Sequence, residues 1–68
     1  MRTTLIEARK DKGMTQKQLS EYLGVTVRQY QNIERGSTLG KISQWDLLED
    51  LFGITQRQLR VIKNRYVQ

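Results

Sequence analysis

Apolar residues recur at helical spacing along the chain and are separated by short polar stretches. Leu19 and Leu23 lie four residues apart and Tyr30 and Ile33 lie three apart, so each pair falls on one face of a helix. No strand-type alternation persists over four residues, and the chain contains no proline. The pattern predicts an all-α fold of five short helices.

Five capping boxes predict where the helices begin. In a capping box, a threonine or serine oxygen accepts a hydrogen bond from the first turn, and the side chain three residues later reaches back to the cap amide. The pairs are Thr4 with Glu7, Thr15 with Gln18, Thr26 with Gln29, Ser43 with Asp46, and Thr55 with Gln58. We expect the first helix from residue 3 or 4 to residue 12, the fourth from residue 43, and the fifth over residues 55–67.

The best-defined stretch covers residues 15–36 and contains two of these helices. Leu19 and Leu23 give the first of them its apolar face. Gly24 follows where a helix end favours a left-handed backbone, and Val25 fills the corner. The stretch is therefore predicted to be two helices packed across a tight turn.

The spacing of ten residues resembles the helix-turn-helix of the phage repressor and Cro family, also called the xenobiotic-response-element (XRE) type. These residues are Gln16, Leu19, Ser20, Leu23, Gly24, Val25, Tyr30, Ile33, Glu34 and Gly36. The resemblance covers residues 5–54 and implies a lambda-repressor-like DNA-binding domain. That domain would be one compact five-helix bundle over residues 1–68, with its helix-turn-helix at residues 15–36. The serine at position 20, the tyrosine at position 30 and the lack of a proline before the fourth helix depart from the family's usual pattern.

The distribution of charge suits a polyanionic partner. Twelve lysine and arginine residues against seven aspartate and glutamate residues give a net charge of +5. Residues 1–42 have a net charge of +4, residues 43–54 of −3 and residues 55–68 of +4. Two basic regions therefore flank one acidic helix.

The composition disfavours several classes of function. Because cysteine and histidine are absent, the chain can form no disulfide and no ordinary zinc site, and we expect no metal, cofactor or small-molecule ligand. The carboxylates of the fourth helix are interpreted as a solvated helix face, so no enzyme activity is expected. No apolar run approaches the roughly 20 residues of a membrane span, so we expect no membrane partner and a cytoplasmic, nucleoid-associated protein.

Four side chains on the second helix of the motif are suited to reading duplex DNA: Val27, Arg28, Gln31 and Asn32. Arginine can form paired hydrogen bonds with guanine, glutamine and asparagine can do so with adenine, and valine can meet a thymine methyl group. A solvated face of an amphipathic helix would have a similar composition. The resemblance favours DNA reading, because the corresponding positions of the family face base edges in the major groove.

Contacts with the DNA backbone are expected largely at helix N-termini, whose amides and dipole favour phosphate. In the family, a glutamine at the position of Gln16 lies against a phosphate and against the recognition helix. Further phosphate candidates are Thr15, Lys17, Thr26, Arg35, Ser37 and Lys41. Such contacts supply affinity and register but carry no sequence information.

Two further expectations concern packing and assembly. By resemblance, Arg9 forms an ion pair with Glu34 that would fix the angle of the recognition helix. Leu59, Ile62 and Tyr66 on the fifth helix form a candidate dimer surface, because the family often dimerises through its last helix. That helix could instead pack on the protein's own core, or its basic face could extend the DNA contact.

These patterns together predict a sequence-specific double-stranded DNA-binding transcriptional regulator, acting as a repressor. We expect it to bind an inverted-repeat operator as a homodimer. The alternative is a protein-interaction module on the same scaffold, such as an antitoxin or an adaptor that docks on polymerase.

Overall fold

The fold is described for residues 1–62 by a computed structural model of the protein. This range contains five α-helices and no strand: α1 (Thr3–Asp11), α2 (Gln16–Leu23), α3 (Val27–Arg35), α4 (Ile42–Phe52) and α5 (Gln56–Leu59). The predicted all-α fold of five short helices is therefore confirmed. None of the helices in this range combines the length and apolarity that crossing a membrane requires.

All five helices contribute to one hydrophobic core. Its buried members are Leu5, Ala8, Leu19, Leu23, Tyr30, Ile33, Trp45, Leu48 and Leu59. α2 packs against α3, α1 packs against α3 and α5, and α4 packs against α5. Trp45 is the largest fully buried side chain, and its indole Nε1 donates to the Leu39 carbonyl oxygen at 2.7 Å. That hydrogen bond satisfies the one polar atom of the ring.

Local interactions define both sides of the turn between α2 and α3. The Thr15 Oγ1 accepts from the Gln18 amide at 3.1 Å, and the Gln18 Oε1 accepts from the Thr15 amide at 2.9 Å. Thr26 and Gln29 make the same two hydrogen bonds at the start of α3. Gly24 ends α2 with φ of 73°, a left-handed conformation that costs glycine little. The capping boxes predicted for these two helices are confirmed.

The start of α1 differs from the prediction. The helix begins at Thr3 with Arg2 as its cap residue, so Thr4 lies inside the helix and makes no cap. The Arg2 amide donates to the Glu34 carbonyl oxygen of α3 at 2.8 Å. This tertiary contact anchors the cap residue of α1.

The start of α4 also differs from the prediction. The helix begins at Ile42 with Lys41 as its cap residue, so Ser43 is not the cap. The Gln44 Oε1 accepts from the Lys41 amide at 2.9 Å, whereas the sequence predicted that Asp46 would accept from the Ser43 amide. The predicted box was displaced by two residues, because Gln44 can make the same backward hydrogen bond.

The fifth helix is shorter than predicted within the described residues. Thr55 is its cap residue as expected, and its Oγ1 accepts a first-turn amide at 3.4 Å. The helix nevertheless ends at Leu59, and Arg60 is its C-terminal cap residue. The Arg60 carbonyl oxygen accepts from the side chain of Arg2 at 3.2 Å, so the end of the helix is bonded to a residue far away in the sequence. From residue 63 onward, the predicted helix lies outside the described residues.

Candidate nucleic-acid interface

One side of α3 is polar and reaches solvent. We call it the polar face of α3, and its members are Val27, Arg28, Gln31 and Asn32. Arg28 is exposed and the other three are half-buried. Tyr30 and Ile33 of the same helix are buried in the core, and their packing prevents α3 from rotating about its own axis. The polar face therefore has a fixed direction relative to the rest of the fold.

A buried carboxylate near the end of α3 joins three helices. Glu34 is 3% exposed, and its Oε2 accepts from Arg9 Nε of α1 at 2.6 Å. Its Oε1 accepts from Gln16 Nε2 of α2 at 2.9 Å, and Oε2 also accepts from the Tyr30 hydroxyl at 2.5 Å. We call these four residues the Glu34 cluster. Because a buried charge is stable only when it is paired and hydrogen-bonded, the cluster holds α3 at a defined angle to α1 and α2.

Tyr30 belongs to both the core and the Glu34 cluster. Burial raises the pKa of its hydroxyl, and the hydrogen bond to Glu34 and the charge of Glu34 raise it further. The hydroxyl therefore stays protonated and serves as a donor to the carboxylate at ordinary pH. Sequence reasoning placed Tyr30 on the apolar stripe but missed this bond, although a spacing of four residues on one helix could have indicated it.

Gln16 links the Glu34 cluster to the polar face of α3. Its Oε1 accepts from Gln31 Nε2 at 3.1 Å, while its own amide group donates to Glu34. The carboxamide of Gln31 is thereby oriented before any ligand binds. Since an amide nitrogen carries two hydrogens and the oxygen is an acceptor, Gln31 retains groups that can hydrogen-bond with a base.

The phosphate candidates lie at the starts of α2 and α3, at the last residue of α3 and in the segment that leads to α4. Thr15 and Thr26 are the cap residues of α2 and α3, and each hydroxyl oxygen accepts a backbone amide. Each hydroxyl proton can still be donated to a phosphate oxygen. Gln16 is half-buried because it contacts Glu34. Thr15 and Thr26 are exposed, and so are the four remaining candidates, Lys17, Arg35, Ser37 and Lys41.

An open groove lies between the turn of the motif and the start of α4. Its lining includes Asn32 from the polar face of α3 and Lys41, the cap residue of α4. Thr38 and Gln44 contribute further polar groups. A candidate for base reading and a candidate for phosphate binding therefore share one concave surface.

Arg2 was not singled out from the sequence, yet it is 3% exposed. Its guanidinium lies 5.3 Å from the centre of the Trp45 ring and donates to the Ile33 carbonyl oxygen at 2.5 Å and the Thr38 carbonyl oxygen at 2.8 Å. Burial lowers the pKa of Arg2, and the positive charge of Arg60 lowers it further. No local pattern could have indicated these contacts, because the acceptors of its side chain lie 31 to 58 residues away along the chain.

The structure describes two of the three residues of the candidate dimer surface, Leu59 and Ile62. Leu59 is fully buried in the core, so its assignment to an interface is wrong: α5 packs on α1 and α4 and uses Leu59 to do so. Ile62 is 49% exposed and lies beside Gly36. Tyr66 lies outside the described residues.

Two capped helices, a left-handed glycine between them and a solvent-facing polar face on the second helix define a helix-turn-helix protein. A family model described as Helix-turn-helix (HTH_3) matches residues 5–55. The chain belongs to this family of DNA-binding regulators, and the resemblance to the XRE type is confirmed. No curated protein and no solved structure matches the chain.

Proposed function

We propose that the protein is a sequence-specific double-stranded DNA-binding transcriptional regulator that represses by occupying promoter DNA. The observation that supports this most directly is the Glu34 cluster, which ties α3 to α1 and α2 through one carboxylate. A helix that reads base edges must keep a fixed angle to the groove, and side chains locked by packing and hydrogen bonds provide that rigidity.

In this proposal, α3 enters the major groove and its polar face reads base edges. Arg28 is exposed and carries the planar guanidinium that pairs with guanine O6 and N7. Gln31 and Asn32 are half-buried amides suited to adenine, and Val27 offers methyl groups to thymine. The hydrogen bond from Gln31 to Gln16 favours binding, because less side-chain freedom is lost when the complex forms.

The proposed contacts with the DNA backbone lie at the starts of α2 and α3, at the last residue of α3 and in the segment that leads to α4. They come from Thr15, Gln16, Lys17, Thr26, Arg35, Ser37 and Lys41. The groove that contains Lys41 and Asn32 supports this arrangement, since a phosphate contact there would fix the register of a neighbouring base contact. Affinity should then fall steeply as salt concentration rises, because bound phosphates release counterions.

The proposed operator is an inverted repeat bound by a homodimer. Two copies related by a two-fold axis would place their α3 helices in successive major grooves, about 34 Å apart. The side chain of Ile62 is exposed and is the proposed apolar contact between the two copies.

Selection of bound duplexes from a random pool, at low and at moderate salt, tests the proposal. Enrichment of an inverted repeat is the expected result, and the spacing of its half-sites would give the geometry of the dimer. Binding without enrichment would refute sequence-specific reading while leaving nonspecific DNA binding. Failure to bind at either salt concentration would favour the protein-interaction module, for which the exposed Val61 and Ile62 offer an apolar surface.

A further inference from the structure

We infer that Arg2 is a positioning residue for DNA binding, which locks the C-terminal end of α3 and the loop at residues 36–41 into one rigid unit. The inference rests on the proposed function. Arg2 belongs to neither the polar face of α3 nor the phosphate candidates, and it is too buried to be a direct ligand of DNA.

Arg2 donates to two carbonyl groups in the last turn of α3, one of which, that of Ile33, also accepts from the Gly36 amide at 3.2 Å. Its backbone amide donates to the Glu34 carbonyl oxygen at 2.8 Å, and its Nη1 donates to the Ile33 carbonyl oxygen at 2.5 Å. A helix end carries partial negative charge on these oxygens, so a guanidinium is stabilised there without a carboxylate partner. Arg2 therefore acts as a cap for α3 supplied from the far end of the sequence.

The same guanidinium reaches the loop after α3 and the end of α5. Nη1 also donates to the Thr38 carbonyl oxygen at 2.8 Å, and Nε donates to the Arg60 carbonyl oxygen at 3.2 Å. The Trp45 ring, fully buried, lies under the guanidinium at 5.3 Å. One planar group thus joins three elements: Nη1 donates to α3 and to the loop, and Nε donates to the residue after α5, whereas lysine has only one donor nitrogen.

The consequence for DNA binding is a division of roles. The Glu34 cluster orients α3 against α1 and α2, and with it the polar face. Arg2 orients the loop that carries Ser37 and leads to Lys41, both of which are exposed phosphate candidates. Without Arg2 the loop would have to be ordered when DNA binds, which costs conformational entropy on every sequence alike.

The test compares three variants on two duplexes of equal length, the one enriched by selection and a scrambled one. Arg2→Met removes the guanidinium, Arg2→Lys keeps the charge on a single donor nitrogen, and Arg57→Met removes an exposed charge of α5 as the control. Affinities are measured at one salt concentration, well below the melting temperature of each variant. We expect Arg2→Met to weaken binding to both duplexes about tenfold, or roughly 1.4 kcal/mol, beyond the effect of Arg57→Met. Arg2→Lys should restore part of the loss.

Amide hydrogen exchange supplies a readout that does not depend on DNA. The amides of Ser37 and Thr38 donate to the Asn32 carbonyl oxygen at 2.9 and 3.4 Å, and they should exchange faster in Arg2→Met and in Arg2→Lys than in Arg57→Met. Unchanged exchange together with affinities equal to those of Arg57→Met would overturn the inference, as would a loss confined to the enriched duplex. If the wild type binds no duplex, the proposed function fails, and exchange at these two amides still decides whether Arg2 locks the loop.

Discussion

Replacing Tyr30 with phenylalanine removes a single oxygen atom from the Glu34 cluster. The ring keeps its shape and remains fully buried, so no cavity opens in the core. The lost hydroxyl donates to a buried carboxylate at 2.5 Å, and a hydrogen bond to a charged group contributes about 1.5–3 kcal/mol. Arg9 and Gln16 still donate to Glu34, so we expect the free energy of unfolding to fall by an amount near the lower end, about 1.5–2 kcal/mol.

Urea unfolding followed by tryptophan fluorescence and far-ultraviolet circular dichroism measures this loss. The midpoint should fall while the slope with denaturant stays constant, because the surface exposed on unfolding is unchanged. Tyr22→Phe is the matched control: its hydroxyl lies 3.4 Å from the Leu47 carbonyl oxygen, and the side chain is 42% exposed. A change within about 0.5 kcal/mol is expected there. Equal stability of Tyr30→Phe and the wild type would refute the assignment of Tyr30 to the cluster.

The pH dependence of the same pair of proteins gives an independent check on Tyr30. Because folding raises the pKa of its hydroxyl, the contribution to stability is fully present below about pH 10, where an unfolded tyrosine is protonated. As pH rises above that value, the unfolded state loses its proton first and the contribution declines. The difference in stability between wild type and Tyr30→Phe should therefore shrink in alkaline solution, and a difference that grows there would contradict the sign of the shift.

The remaining predictions concern the cluster, the interface and the core. Glu34→Gln should lower the free energy of unfolding by about 1–3 kcal/mol in urea titrations, because it leaves the largely buried guanidinium of Arg9 without its counterion. A free energy of unfolding equal to that of the wild type would show that the ion pair is solvated. Arg28→Ala should weaken binding to the enriched duplex by about 1–3 kcal/mol and relax the preference at one base position in repeated selections. Unchanged selectivity would show that Arg28 does not read a base. Lys41→Ala should weaken all duplexes alike and reduce the salt dependence by about one ion, so a loss on one duplex alone would argue against a phosphate contact. Leu59→Ala should destabilise the fold by about 2–5 kcal/mol, whereas Ile62→Ala should destabilise it by less than about 1 kcal/mol, because Ile62 is half-exposed. A larger loss of stability for Ile62→Ala than for Leu59→Ala would contradict the burial of Leu59 in the core.

What sequence alone determined was the local architecture of residues 15–36. A capping box spans three residues and a left-handed glycine needs only itself, so the caps at Thr15 and Thr26 and the turn at Gly24 were predictable from neighbours in the chain. The same reasoning placed the buried and polar sides of α3 correctly, because both follow from the helical repeat.

Only the tertiary structure decided where α1 begins and that Leu59 of α5 is buried in the core. Thr4 and Leu59 were misassigned because neighbouring residues could not reveal the contact of Arg2 with α3 or the packing of α5 on α1 and α4. Helical periodicity shows which residues share a face, but it does not show whether that face meets the protein's own core or another chain. Arg2 is the clearest example. Its charge predicts a solvent-exposed side chain, and only the folded chain brings it to carbonyl oxygens as far as 58 residues away in the sequence.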